Sequence, residues 1–130
     1  MPPARQAEEP LGGAKVRVQC LQALEEIGGE DGLKVAREAA LADENDGARV
    51  AAIEVIKRHG GDVDGGATLG TIVRDQGASV RVRRVAANVL GDKRWRSGAD
   101  ALATTIKSDE PLDLRRECLK ALVVMGDKRG

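Results

Sequence analysis

Small aliphatic residues fall at helical spacing in four stretches of this chain, and each stretch repeats one local pattern. It reads Val16-Arg17-x-x-Cys20-Leu21-x-Ala23-Leu24, then Ala48-Arg49-x-x-Ala52-Ile53-x-Val55-Ile56. It returns as Val82-Arg83-x-x-Ala86-Ala87-x-Val89-Leu90 and as Leu114-Arg115-x-x-Cys118-Leu119-x-Ala121-Leu122. Apolar positions three and four apart share one face of a helix, so each stretch predicts an amphipathic helix, here called helix A. In the first of them Val16, Cys20, Leu21, Leu24 and Ile27 are the expected inward set, and Gly28-Gly29 ends the helix.

A second helix, B, is predicted after each of the first three A helices. The first spans about 31–42, with Leu33, Ala36, Ala40 and Leu41 inward. The second spans about 64–74 and contains Gly65, Gly66 and Gly70, which makes it the softest helix expected, at roughly 1 kcal/mol per interior glycine. The third starts near Ser97, with Asp100 three residues on as a weak capping box, and turns Ala101, Leu102, Thr105 and Ile106 inward. No B helix is expected after the fourth A helix.

The four arginines of the pattern stand 32, 34 and 32 residues apart. A period of that size predicts an all-α solenoid of stacked antiparallel helix pairs, about three and a half repeats long. The expected divisions are a flexible lead-in at 1–13 and repeats at about 14–46, 47–79, 80–111 and, in part, 112–130. The lead-in has three prolines and a Gly-Gly pair.

Composition supports this picture. Of 130 residues, 42% are apolar and 32% charged, which suits a folded domain, and Trp95 is the only aromatic. No apolar run approaches the ~18 residues of a membrane span, so no membrane partner is expected. Cys20 and Cys118 hold the same pattern position and are expected to be buried, reduced and too far apart to bridge, which places the chain in the cytoplasm. Net charge is zero, but its distribution is not even. Residues 21–46 carry eight acids and two bases; residues 74–96 carry seven bases and two acids.

The Val-Arg-x-x-Ala-Ala-x-x-Leu run, the acids Asp43 and Asp109 six residues before an arginine, and the Gly-Asp turn after helix A resemble HEAT-like repeats. The likeness is to the short bacterial type, similar to those of phycobilin-lyase subunits, and covers residues 14–130. It implies that Asp43, Asp109, Arg17, Arg49, Arg83 and Arg115 are structural, bonding across the turns between repeats.

Candidate chemistry is sparse. A lone histidine, His59, stands near the end of a helix with no evident partner, so no catalytic residue is expected. One histidine and two distant cysteines do not build a zinc site, and no metal or cofactor is expected. Glycines 60–70 lack the Lys-Ser/Thr of a phosphate loop. Arg81, Arg84, Lys93, Arg94 and Arg96 lie within sixteen residues around Trp95, a composition that suits phosphates and base stacking. Nucleic-acid binding there, or a subunit role in a phycobilin-lyase-like enzyme, is an alternative to the principal expectation of a non-catalytic protein-binding scaffold. For that scaffold the helical phase selects Lys34, Arg37, Glu38, Thr71, Arg74 and Lys107 on the B helices. The apolar last turn of the fourth A helix adds Val123 and Val124, as a contact for another protein or a second copy.

Overall fold

Helix starts and stops follow local chemistry. The Asn45 side chain accepts the N–H of Ala48 at 2.9 Å, and the Ser79 hydroxyl accepts that of Val82 at 3.2 Å, each serving one orphan donor of a first turn. Gly28 and Gly126 end helices at φ +75° and +78°, and Gly29 starts the next one at +94°, a region open to glycine at little cost. Arg94 takes the same left-handed region at φ 55° without being glycine.

The computed structural model describes residues 13–126. Seven α-helices are present: α1 (Ala14–Ile27), α2 (Glu30–Ala42), α3 (Asp46–His59), α4 (Ala67–Arg74), α5 (Val80–Lys93), α6 (Ala99–Lys107) and α7 (Leu112–Met125). A π turn, Asp62–Gly66, leads into α4, and a 3₁₀ turn, Arg96–Gly98, leads into α6. No strand occurs among the described residues. The predicted A helices are α1, α3, α5 and α7; the B helices are α2, α4 and α6. All but one residue of the 1–13 lead-in lies outside the described residues, as does the segment after Gly126.

Each helix packs on the next but one. The A helices therefore form one row, with α1 against α3, α3 against α5 and α5 against α7. The B helices form a second row, and each lies against the A helix that follows it. Between the rows runs one continuous aliphatic core, from Leu21 through Ile53, Ile56, Leu69, Ile72, Leu90 and Leu102 to Leu114 and Leu122.

Small residues set how close the elements come. A Cβ on Gly91 of α5 would lie 2.6 Å from the Cα of Ala121 in α7, so these backbones meet directly. Gly65 and Gly66, expected inside the second B helix, lie in the π turn ahead of α4 and have a similar purpose. A Cβ on Gly65 would lie 2.7 Å from the Trp95 ring, and one on Gly66 2.9 Å from the Cβ of Ser97. The Ser97–Asp100 capping box is not formed. Gly98 is the N-cap of α6, and the Ser97 N–H instead donates to Asp62 at 2.9 Å, which ties the 3₁₀ turn to the π turn.

At the first repeat the inward set is partly overturned. Leu21 is buried, but Val16, Cys20, Ile27 and, on α2, Leu41 are exposed. Among the described residues no helix covers that side of α1, whereas α5 and α6 pack on α7 and bury Cys118. The cysteines thus share a pattern position but not an environment. Burial pushes the Cys118 thiol up to about 12.

Candidate interaction surfaces

The repeated arginine is where sequence pattern becomes chemistry. The last carbonyls of an α-helix have no intrahelical donor and sit at the negative end of its dipole. Arg49 donates from Nε to the Ala40 carbonyl of α2 at 2.8 Å and from Nη2 to that of Leu41 at 3.2 Å. Arg83 donates from Nε to the Val73 carbonyl of α4 at 2.9 Å, and Arg115 to that of Ile106 in α6 at 2.9 Å. One guanidinium per repeat thus closes the end of the preceding B helix.

Three of the four pattern arginines, Arg17, Arg49 and Arg83, reach forward to an acid. Arg83 grips Glu110 with both terminal nitrogens, at 2.9 and 2.8 Å, and its side chain is only 3% exposed. Arg49 lies 3.6 Å from Asp75. Arg17 holds Asp43 through Nε and Nη2, at 2.8 and 3.1 Å. The partner in the third repeat is therefore Glu110 and not Asp109, which is exposed, and Asp75 is an acid that the six-residue spacing missed. Burial raises the Asp43 carboxyl, but hydrogen bonds from Arg17 and the Asn45 N–H, with the charges of Arg17 and Arg49, hold it below its ordinary value. The Arg83 bond holds Glu110 below its ordinary value against the opposing effect of burial.

The basic segment does not form one patch. Arg81 and Arg84 line a groove of about 350 Å³ along the A row, with Lys57, Val85 and Asn88 and with the acids Glu54 and Glu117. Arg84 lies 3.8 Å from Glu117. Lys93, at the other end of α5, joins a separate groove with Glu25, Glu54, Lys57 and Arg58. Thirteen residues of helix separate Arg81 from Arg94, about 20 Å. Arg94 donates to the Val124 carbonyl at 3.1 Å and Arg96 to that of Met125 at 3.1 Å, so both serve the C-terminus of α7. Those bonds offset the left-handed backbone of Arg94, a conformation costing about 1–2 kcal/mol. Trp95 is 6% exposed and packs over Gly65 of the preceding repeat. It fills a junction between repeats and offers no open face for a base to stack on.

His59 closes a helix as well. It is the last residue of α3, its Nε2 meets the Glu25 carbonyl of α1, and its ring lies against Gly28. No group of three or more His, Cys, Asp or Glu that could hold a metal occurs among the described residues.

Of the B-helix candidates, Lys34, Glu38, Thr71, Arg74 and Lys107 are exposed. Arg37 is half-buried and lies 4.0 Å from Asp64. They sit on α2, α4 and α6, which pack side by side, so the structure brings them to one row of helices. No described helix is long and apolar enough to cross a membrane.

Exposed apolar side chains have a clear distribution. Nine large ones occur among the described residues. Val16 and Ile27 are on α1, Val35 and Leu41 on α2, and Leu112, Leu119, Val123 and Val124 on α7; Val63, in the π turn, is the exception. The first helix pair also holds a groove of about 320 Å³ lined by Val16, Cys20, Leu24, Val35 and Ala39, with Arg17 and Asp43 at its edge. Val123 and Val124 are exposed as the sequence suggested, and sequence reasoning missed the matching surface on α1 and α2. The signal was there, since Val16 and Ile27 carry the A-helix pattern and no described helix precedes α1 to cover them.

No family model matches the chain, no curated protein matches it, and no solved structure matches it.

Proposed function

We propose that the chain is an α-solenoid of HEAT-like repeats that serves as a non-catalytic protein-binding scaffold in the cytoplasm. The observation that carries this reading is the placement of exposed apolar surface. Eight of the nine exposed large apolar side chains lie on the first helix pair and the last helix. Clustered apolar surface on a water-facing protein marks interaction sites more often than scattered residues do. The row of α2, α4 and α6 supplies a second, polar surface through Lys34, Glu38, Thr71, Arg74 and Lys107. Arg49, Arg83, Arg94, Arg96 and Arg115 bond carbonyls at helix ends, and Arg17, Arg49 and Arg83 pair across repeats. The nucleic-acid alternative draws no support from the dispersed arginines or the buried Trp95.

The test is a partner captured on the full chain, purified, and titrated against two variants. Arg74→Glu with Lys107→Glu alters the B-helix row; Val123→Arg alters the end of α7. Affinity lost in one variant and kept in the other assigns the contact to that surface. A partner bound equally by the parent and both variants counts against the scaffold reading on these surfaces.

A further inference from the structure

The first and last A helices expose two complementary halves of one repeating contact. On α7, Leu114, Cys118, Ala121 and Met125 are buried against α5 and α6. The residues at the same pattern positions of α1 are Val16, Cys20, Ala23 and Ile27, and all four are exposed. The face that α7 buries toward its predecessor is therefore the face that α1 leaves open.

The opposite side shows the converse. Arg83, Ala87 and Gly91 form a stripe on α5, at four-residue spacing, and all three are buried. Gly91 meets Ala121 of α7, and Arg83 meets Glu110, two residues ahead of α7. The same stripe on α7 is Arg115, Leu119 and Val123, and Val123 is 70% exposed. Arg115 bonds the Ile106 carbonyl, as the other arginines bond theirs, but no ion pair to it occurs among the described residues. What fits such a stripe is the open face of another A helix.

We infer that α7 of one copy takes α1 of a second copy, end to end. This rests on the scaffold reading above and names its partner. Contact between two α7 helices is disfavoured, because a two-fold axis would bring Arg115, Arg116 and Lys120 toward their own copies. In the end-to-end contact α7 plays the part of α5; the part of α6 has no counterpart there, so the contact is weaker than the internal ones. Because the two surfaces differ, association is heterologous and adds copies in series.

Two variants test this, each at an exposed site and each checked for an unchanged helical melting curve. Ala23→Arg blocks the α1 end, and Val123→Arg blocks the α7 end. By light scattering the parent chain exceeds its 13.7 kDa monomer mass, and the excess grows with concentration. Each variant alone stays monomeric, while an equimolar mixture forms a dimer and stops there, since one partner keeps a good α7 end and the other a good α1 end. Three outcomes overturn the inference: a parent chain monomeric to about 1 mM, a dissociation constant worth only about 4 kcal/mol; a mixture that stays monomeric; or an Ala23→Arg chain that dimerises alone. The partner titration reads the scaffold function separately, because it uses a different protein as probe.

Discussion

The first and third A helices carry one sequence pattern and reach different ends. Of the fourteen residues of α1, only Leu21 is buried. Of the fourteen of α5, seven are buried: Val82, Arg83, Ala86, Ala87, Val89, Leu90 and Gly91. Both carry Val-Arg at the pattern position, Val16-Arg17 and Val82-Arg83, and both have small residues at the inward positions. The difference is the number of neighbours. α5 has α3 on one side and α7 on the other, with α4 packed beneath it, while α1 has a described A helix on one side only. A repeat motif therefore encodes which residues will face a neighbour, and the neighbours decide which of them are buried. Stability in such an array is a sum of repeat terms and contact terms, so the inner helix carries more of it.

Thiol chemistry gives the widest separation between outer and inner helices. Cys20 is exposed on α1, and Cys118 is buried on α7 with its thiol pushed up to about 12. A thiol reagent at pH 8 is expected to label Cys20 in the native protein while Cys118 waits for unfolding. Global opening at 5 kcal/mol or more makes that delay about a thousandfold or greater. Labelling of the Cys20→Ser and Cys118→Ser variants, followed by mass spectrometry, assigns the two rates. Comparable rates would place Cys118 at the surface and undo the contrast.

The arginine ladder gives the next largest contrast. Arg83→Met leaves the Glu110 carboxylate without its two bonds and the Val73 carbonyl without a donor. Removing one member of a buried pair costs about 3–5 kcal/mol. Arg17→Met removes a similar pair at the outer helix, where the arginine side chain is 33% exposed, and about 1 kcal/mol or less is expected. Urea unfolding of both variants measures the ratio. Equal losses would mean that α1 is as fully covered as α5.

A pair of glycines sharpens the same point at smaller scale. Gly91→Ala sets a methyl group 2.6 Å from the backbone of α7, which has no flexible end to move aside. Overpacking of this kind costs about 1–3 kcal/mol. Gly61→Ala meets nothing within 4 Å, at a φ of −136° that any residue adopts. It is expected to be neutral or to stabilise by up to about 1 kcal/mol, through a stiffer unfolded chain. A thermal melt that ranks the two variants the other way would contradict the close approach of α5 and α7.

These contrasts also explain what the sequence revealed. Helical spacing and the returning Val-Arg pair marked seven helices and placed their ends within two or three residues. Loop chemistry was less legible. The ladder acids stand six, eight and five residues ahead of the next arginine, at Asp43–Arg49, Asp75–Arg83 and Glu110–Arg115. A fixed spacing cannot find all three, because the connecting turns differ in length. Trp95 was misplaced for another reason: its seat is made by Gly65 and Gly66, thirty residues upstream, and an absent side chain leaves no apolar signal. The exposed face of α1 was hidden because its residues look like core residues everywhere else in the pattern.

The smallest contrast is in acid. Asp43 and Glu110 both have carboxyls held below their ordinary values, 3.8 and 4.5, by arginines in the folded chain. A carboxyl with a depressed folded pKa contributes stability that is complete above its unfolded value and is lost as pH falls through its folded one. Stability is therefore expected to be level above about pH 5, for this term, and to decline below about pH 4. Glu110→Gln lowers stability at pH 7 and flattens the decline, since the amide keeps a hydrogen-bond acceptor but has no proton to gain. Asp43→Asn does the same to a lesser degree, because burial there already works against the charged form. Urea midpoints between pH 3 and pH 7 follow the two slopes. An acid limb unchanged by Glu110→Gln would mean that the Arg83 pair contributes geometry to the fold but no measurable charge stabilisation.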